Sequence, residues 1–441
     1  MVERVFKFRE NQTTFRREVV AGLTTFAAMA YILMVHPDML AKTGMDRGAL
    51  LTATALVSAI GTLLAAFLTN YPIALAPGMG LNAFFTFGIC IGMNIPWQGA
   101  LGMVFWTGIL FVILSLSGVR SLIVEAIPEC LKIGIQAGIG LFIALIGFQN
   151  AGIVVDHPET LITLGPISDG WLPNSATLAL LGLVIAVVLM VKQVPGASLI
   201  AILTVTLVGL FVPAESGTVT GRPDGIVGLP HSIAPVFFEV DWLYPFKNWH
   251  SAWMIVVTLL FVDLFDSMGT LIAVTRRGKF TDEKGNLPKL SNALLADAAA
   301  TAVGACLGSS PVTAYIESAT GIEAGGRTGL TGVVVAFCFL LTLFFAPILL
   351  IIPAAATAPA LILVGVLMLS GLRSLDWDDL ADSAPGILTA MLIPLCFSIA
   401  NGIALGCITY CLLMTASGQK HRIHWLLGTL SVLFAIKFAI S

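Results

Sequence analysis

The sequence predicts an all-α polytopic membrane protein of about 14 transmembrane spans, arranged as two inverted seven-span repeats whose spans 3 and 10 are broken by short extended segments. Three observations carry this expectation: composition, the number and spacing of apolar runs, and two proline interruptions at matching places in the halves. Of 441 residues, 57% are hydrophobic and 11% charged, with a mean hydropathy of +0.96. A water-soluble chain of this length would need far more polar surface, so lipid is the expected solvent. Lys and Arg number 22 against 25 Asp and Glu. That balance offers no broad basic surface, and nucleic-acid binding is excluded.

Apolar runs between Gly, Pro and charge breaks fall at 18–36, 48–70, 73–92, 99–118, 133–151, 175–191 and 196–212 in the first half. A polar connection, 213–250, separates them from runs at 252–275, 291–307, 308–322, 329–346, 358–372, 384–398 and 400–416. Each is long enough, or nearly so, to cross about 30 Å of hydrocarbon as helix. The chain therefore divides into an N-terminus (1–17), a first repeat (18–212), the connection (213–250), a second repeat (251–416) and a C-terminal segment (417–441). The last apolar stretch, 425–440, reads equally as an interfacial helix or an extra span.

Basic residues set the orientation, because Lys and Arg are retained in the cytoplasm. Arg4, Lys7, Arg9, Arg16 and Arg17 precede the first span, and Arg276, Arg277, Lys279, Lys284 and Lys289 follow the eighth. The connection at 150–174, expected outside, has neither residue type. The N-terminus is thus expected in the cytoplasm, in the plasma (inner) membrane, with the first span as an uncleaved insertion signal. An odd number of spans per half inverts the second repeat, an arrangement typical of transporters.

The third span contains NYPIALAPGMGLNAFF (70–85) and the tenth GSSPVTAYIES (308–318). Pro77 and Pro311 remove backbone donors, and non-helical backbone at membrane depth survives only inside protein or beside a polar cavity. Such paired breaks point to a binding site, each an extended piece leading into a half-helix whose N-terminal amides face the centre.

Carboxylates gather at the same depth. SAWMIVVTLLFVDLFDSMGTLIAV (251–274) carries Asp263 and Asp266, three residues apart on one helical face, so both are expected to look into one cavity. Glu317 follows the break in the tenth span, and Asn82 holds nearly the corresponding place in the third. A carboxylate in hydrocarbon costs at least ~2.5–3.5 kcal/mol, so such groups mark substrate or proton handling. Asp297 of the ninth span is read as nearer a membrane face, where structural bonding and coupling weigh alike.

Other signals are weaker. The cysteines Cys90, Cys130, Cys306, Cys338, Cys396, Cys407 and Cys411 lack metal-ligand spacing and read as packing residues. His36, His157, His231, His250, His421 and His424 lie at span ends or in loops, where surface or interface roles are expected. Gly325, Gly326 and Arg327 superficially suggest anion binding, but a turn explains them better. There is no nucleotide-binding GxxxxGK[ST] loop.

Five segments, AGLTTFAAMAYIL (21–33), APGMGLNAFF (76–85), GIGLFIALIGFQNAG (138–152), FVDLFDSMGT (261–270) and GSSPVTAYIESATGIEAGGRTGLTG (308–332), resemble the AzgA-like purine permeases of the nucleobase–ascorbate transporter superfamily. The resemblance covers almost the whole chain. It implies a core domain (spans 1–4 and 8–11) sliding against a gate domain (spans 5–7 and 12–14), and proton symport of adenine, guanine or hypoxanthine by alternating access. It also implies base recognition by Asp266, Glu317 and Asn82, with Phe26, Ala28 and Met29 as a wall beside the ring and Tyr315 and the Ile316 backbone at the half-helix. Asp263, Asp266 and Glu317 are the candidates for proton coupling. Related uracil permeases carry a histidine near Thr270, so here the acids must serve.

The expected partners are a purine nucleobase, protons and membrane lipid, and a homodimer is compatible with the resemblance. No cofactor or metal is expected beyond the proton gradient, and no enzymatic activity. Nucleobase chemistry suits the acids, since a ring edge with adjacent donors and acceptors pairs a carboxylate and an amide at two points. Two alternatives remain: an anion transporter or exchanger of the same general fold, and, in a different class, a membrane-embedded lipid-modifying enzyme. The first would want a positive centre and the second a metal-binding cluster at a membrane face.

Overall fold

A computed structural model describes residues 2–117, 126–169, 172–214, 217–223, 225–280 and 287–440. Lys284 of the basic connection and residue 118, the end of the fourth apolar run, lie outside the described residues. Eight helical stretches are long and apolar enough to cross a membrane, and shorter apolar helices lie between them. Val184, Val188, Leu207, Phe337 and Leu341 are exposed on the helix exteriors, as lipid contact requires and water would penalise.

The first span is longer than its apolar core suggests and is interrupted. It comprises α1 (Phe15–Met29) and α2 (Ile32–Ala41), broken at Ala30 and Tyr31. Thr14 caps α1 by accepting from Arg17 N–H. The second span, α3 (Arg47–Thr69), starts at the Asp46 cap and ends at Asn70 in the left-handed conformation, φ 58°. Asn70 accepts from Gly329 N–H at 2.9 Å and donates to the Phe6 carbonyl at 3.1 Å, tying the N-terminal segment to the ends of the second and eleventh spans.

Both expected breaks are present as extended backbone. Strand β1 (Leu75–Pro77) pairs antiparallel with β2 (Val312–Ala314), setting Ala76 opposite Thr313. Gly78 N–H donates to the Pro311 carbonyl and Tyr315 N–H to the Ala74 carbonyl, each at 3.0 Å. The outer edges are satisfied by one threonine from each half. The Thr62 hydroxyl of α3 both donates to and accepts from the Leu75 backbone at 3.0 Å. Thr301 of the ninth span, α10 (Leu290–Cys306), does the same for Val312 at 3.0 and 3.1 Å. Backbone left unpaired here would cost several kcal/mol, which explains hydroxyls at these two places.

Beyond the strands the two broken spans differ. After β1, α4 (Met79–Ala83) runs into a π-helix, Phe84–Ile91. After β2, α11 (Ser318–Glu323) has only six residues, shorter than the expected half-helix. The chain turns there because Gly325 takes φ +109° and Gly326 N–H returns to the Gly321 carbonyl. The turn reading of Gly325–Arg327 holds, and the Arg327 guanidinium caps the carbonyls of Ile322 and Gly326.

The turn also receives an anion from the chain itself. Glu18 is fully buried and accepts from Thr13 Oγ1 (2.7 Å), Arg327 N–H (2.9 Å), Thr328 N–H (3.2 Å) and Thr331 Oγ1 (2.6 Å). Glu18→Ala strands four buried or part-buried donors and is expected to cost about 3 kcal/mol or more, read as a lower thermal unfolding midpoint. Glu18→Gln, which keeps one acceptor oxygen, is expected to lose less.

The remaining helices complete two packing sets. One joins α1–α4 with α5 (Trp97–Ser117), α9 (Trp249–Gly278), α10, α11 and α12 (Gly329–Thr342). The other joins α6 (Glu129–Asn150), α7 (Ser175–Val191), α8 (Ala197–Gly209), α13 (Ala354–Met368), α14 (Leu380–Leu395) and α15 (Ile399–Ala416). Helix α6 is held rigidly in the second set by backbone contact. A Cβ on Gly140 would meet the Gly365 carbonyl at 2.8 Å, and one on Gly134 the Gly386 carbonyl at 2.3 Å. The final stretch forms α16 (Trp425–Ile440), packed on α15.

Candidate functional site

Between the two helix sets, beside the paired strands, lies a cavity of about 160 Å³. Its first wall brings Tyr31 from the break in the first span, Met79 and Gly80 from α4, Asp266 and Thr270 from α9, and Thr313–Glu317 after β2 begins. Its second wall is Gln136 of α6 with Val364, Leu367, Met368 and Ser370 of α13 and the turn after it. Strand pairing fixes the first wall: it holds Thr313 beside Ser267, hydroxyl to hydroxyl at 2.8 Å, and leaves Glu317 at the strand exit facing α9.

Asp266 and Glu317 therefore meet in one cavity. Glu317 Oε1 accepts from the Tyr31 hydroxyl at 2.7 Å, and Tyr315 donates its hydroxyl to the Pro77 carbonyl at 2.7 Å. Ile316 is 54% exposed, presenting its backbone and side chain to the opening. Two carboxylates, an aromatic ring and apolar faces can together grip a small flat molecule that offers N–H donors along one edge. The volume falls below the ~300–1,000 Å³ of sites for drug-sized ligands, which favours a compact one.

Other residues singled out from the sequence lie elsewhere. Asp263 does not share the cavity with Asp266. It is fully buried behind the wall, with Oδ2 3.4 Å from the Thr301 hydroxyl and Oδ1 without a partner. Asp297, expected nearer a membrane face, is buried in the same layer, where Oδ2 accepts from Ser267 and Oδ1 has no partner. Asn82 is also fully buried outside the cavity lining and accepts from the Ser310 hydroxyl. Phe26 packs edge-on against Phe339 at 5.3 Å, and neither it, Ala28 nor Met29 lines the cavity.

The surface role expected for His36 is overturned. The first span continues past it, and the ring is fully buried with Nδ1 2.7 Å from Thr54 Oγ1 and Nε2 3.2 Å from Ser310 Oγ. His36, Ser310 and Asn82 thus bridge the first, tenth and third spans behind the strand pair. Sequence reasoning also missed Tyr31 and Gln136 as lining residues. Tyr31 stands in a helix break whose direction periodicity does not give. Gln136 was findable as a lone amide within the apolar run IGIQAGIG.

Fold and site together define a multi-span membrane transporter. The Permease family model Xan_ur_permease matches residues 16–405. The adenine permease AdeP of Escherichia coli is 42% identical, covering 99% of this chain and 96% of that protein. The guanine/hypoxanthine permease PbuG of Bacillus subtilis is also 42% identical, covering 98% of each chain. A putative permease of Methanocaldococcus jannaschii is 46% identical over 99% of this chain and 98% of its own. Among solved structures, the transmembrane domain of the cyanobacterial bicarbonate transporter BicA superposes with TM-score 0.64 at 17% identity, covering 89% of this chain and 97% of that one. Murine Slc26a9, an anion transporter in an inward-facing state, gives TM-score 0.64 at 12% identity, with 92% and 69% covered.

The chain belongs to the xanthine/uracil permease family, as its resemblance to AzgA-like permeases implied. It is a transporter rather than an enzyme.

Proposed function

We propose that the protein imports purine nucleobases of the adenine, guanine and hypoxanthine class by proton-coupled symport. The observation that carries this reading is the meeting of Asp266 and Glu317 in one compact cavity between two helix sets, in a chain whose full-length relatives include permeases named for adenine and for guanine/hypoxanthine. The fold is shared with transporters named for bicarbonate and other anions, so fold alone does not choose the substrate. The cavity lining favours a neutral base over an anion. Two acids and no Lys or Arg make a poor anion site.

In this reading the chain has 14 spans as two inverted repeats, with the first packing set as core and the second as gate. The matched roles of Thr62 and Thr301 support the repeat. With the N-terminus in the cytoplasm, Gln136, Leu367 and Ser370 lie towards the inner ends of their helices and the cavity opens inwards. The outer end is closed by polar bonds. Lys42 Nζ donates to Asn150 Oδ1 at 2.5 Å, Arg47 pairs with Asp38 at 2.5 Å, and Arg47 donates to the carbonyls of Leu350 and Ile352 at 2.8 and 3.1 Å. The double variant Lys42→Ala, Arg47→Ala is expected to favour the outward-open arrangement by about 1 kcal/mol or more, roughly fivefold in population. Labelling from outside of a cysteine placed at Thr270, with the native cysteines replaced, reads that shift.

Uptake of radiolabelled bases into proteoliposomes under an imposed pH gradient tests the function. Adenine, guanine or hypoxanthine is expected to accumulate when the outside is acidic, and collapse of the gradient to abolish accumulation. Selective transport of uracil alone would reject the purine assignment, and uptake of bicarbonate without uptake of bases would favour the anion reading.

A further inference from the structure

The two walls of the cavity are chemically unlike. On the first wall the hydroxyls are already engaged: Tyr31 with Glu317, Tyr315 with the Pro77 carbonyl, Thr313 with Ser267. Its carboxylates, when ionised, only accept. A neutral purine also carries lone pairs that need donors, and no side chain of the first wall except Thr270 is free to supply one. The second wall is apolar at Val364, Leu367 and Met368, with Gln136 and Ser370 as its polar members.

Gln136 is the single amide lining the cavity among the described residues, and its carboxamide makes no hydrogen bond there. Its Oε1 lies beside Gly371, where an added Cβ would meet it at an ordinary contact distance of 3.6 Å. The backbone beneath is immobilised by the close contacts of Gly134 and Gly140. A carboxamide that lines the same cavity as the acids, has no hydrogen-bond partner and stands on a closely packed helix is placed to bind what the acids cannot.

We infer that Gln136 is a specificity-determining residue that hydrogen-bonds the 6-substituent edge of the base, opposite the edge held by Asp266 and Glu317. This inference rests on the cavity being the purine site. Every neutral purine carries an imidazole N–H that suits a carboxylate acceptor, whereas the 6-position is a donor in adenine and an acceptor in hypoxanthine. A carboxamide serves either by rotating end for end. The bond also links the substrate to the second helix set, so an occupied site joins walls that an empty one leaves apart.

The test is equilibrium binding of radiolabelled adenine and hypoxanthine to the purified full-length protein, comparing Gln136→Leu, Gln136→Glu and Glu317→Gln with wild type. Size-exclusion elution and thermal midpoint confirm folding, and Gln136→Ala replaces Gln136→Leu if the latter elutes abnormally. Gln136→Leu is expected to weaken both bases about tenfold. Gln136→Glu, ionised and therefore acceptor-only, is expected to raise the hypoxanthine-to-adenine Kd ratio about tenfold, because it still accepts from a 6-amino group but faces a 6-oxo group without a donor. Wild-type affinity in Gln136→Leu alongside weakened binding in Glu317→Gln overturns the role of Gln136 and leaves the site intact. Weakened binding with an unchanged ratio in Gln136→Glu overturns the selecting role. Wild-type binding in both Gln136→Leu and Glu317→Gln overturns the cavity as the site.

Discussion

Glu317→Gln is expected to weaken purine binding about tenfold or more, and the position of Tyr31 says why. The Tyr31 hydroxyl donates to Glu317 Oε1 at 2.7 Å. A glutamine here keeps that bond by turning its carbonyl oxygen to Tyr31, which leaves its NH₂ facing the cavity. A substrate N–H that met an acceptor now meets a donor, at a cost on the order of 1–3 kcal/mol. Asp266→Asn is expected to act similarly, since Asp266 faces the same space. Tyr31→Phe separates the two parts of the explanation, because it removes the orienting hydroxyl and keeps the acid. Its expected loss is smaller, about 1 kcal/mol or fivefold. Affinities for adenine and guanine across the three variants check the order, and wild-type binding and coupled uptake in both acid variants would sink the assignment.

The features that were legible in the sequence are those where the membrane leaves few options. Pro77 and Pro311 cannot sit in an uninterrupted, lipid-exposed helix, and the strand that ends at Pro77 pairs with the one that follows Pro311. Asp266 and Glu317 stood out because charge is rare at that depth. What periodicity could not supply was side-chain direction at finer grain. Residues three apart on a helix differ by about 60° around its axis. That rotation puts Asp266 in the cavity and Asp263 behind it. Asn82, in the short helix α4 beyond β1, and Phe26, Ala28 and Met29, in α1 ahead of the break at Tyr31, are site residues that the family resemblance implies, and none of them lines the cavity, because the breaks change the direction of the chain between them and it. His36 stands at the end of the apolar run, but α2 continues past it to Ala41 and seats its ring between Thr54 and Ser310.

The acids of this chain extend behind the cavity wall. Behind Asp266, Thr313 bonds to Ser267, and Ser267 donates to Asp297. Asp263 lies in the same layer beside Thr301, and neither Asp263 nor Asp297 has a Lys or Arg partner among the described residues. The layer thus joins the cavity-lining Thr313 through Ser267 to Asp297, with Asp263 buried in the same layer, and no fixed cation among the described residues holds either carboxyl ionised.

Asp263→Asn is accordingly expected to abolish proton-driven accumulation while leaving purine affinity within about threefold, a change under 1 kcal/mol. The amide matches the carboxyl in size, and Asp263 does not touch the cavity, so the binding surface is preserved. What the substitution removes is a group able to gain and lose a proton. Asp297→Asn keeps a carbonyl oxygen for the Ser267 hydroxyl and is expected to behave in the same way, since an intact Ser267 keeps Thr313 in place. Exchange of labelled for unlabelled adenine across the membrane at equal pH needs substrate movement but no net proton transfer, and it is expected to persist in both variants. Accumulation driven by an acid exterior is expected to fall about a hundredfold or more, given the ~10²–10⁴-fold that a positioned proton-transfer group contributes. Loss of binding or of exchange together with accumulation would assign the two aspartates to holding the wall rather than to the proton. Undiminished accumulation in both would exclude this layer from the coupling path.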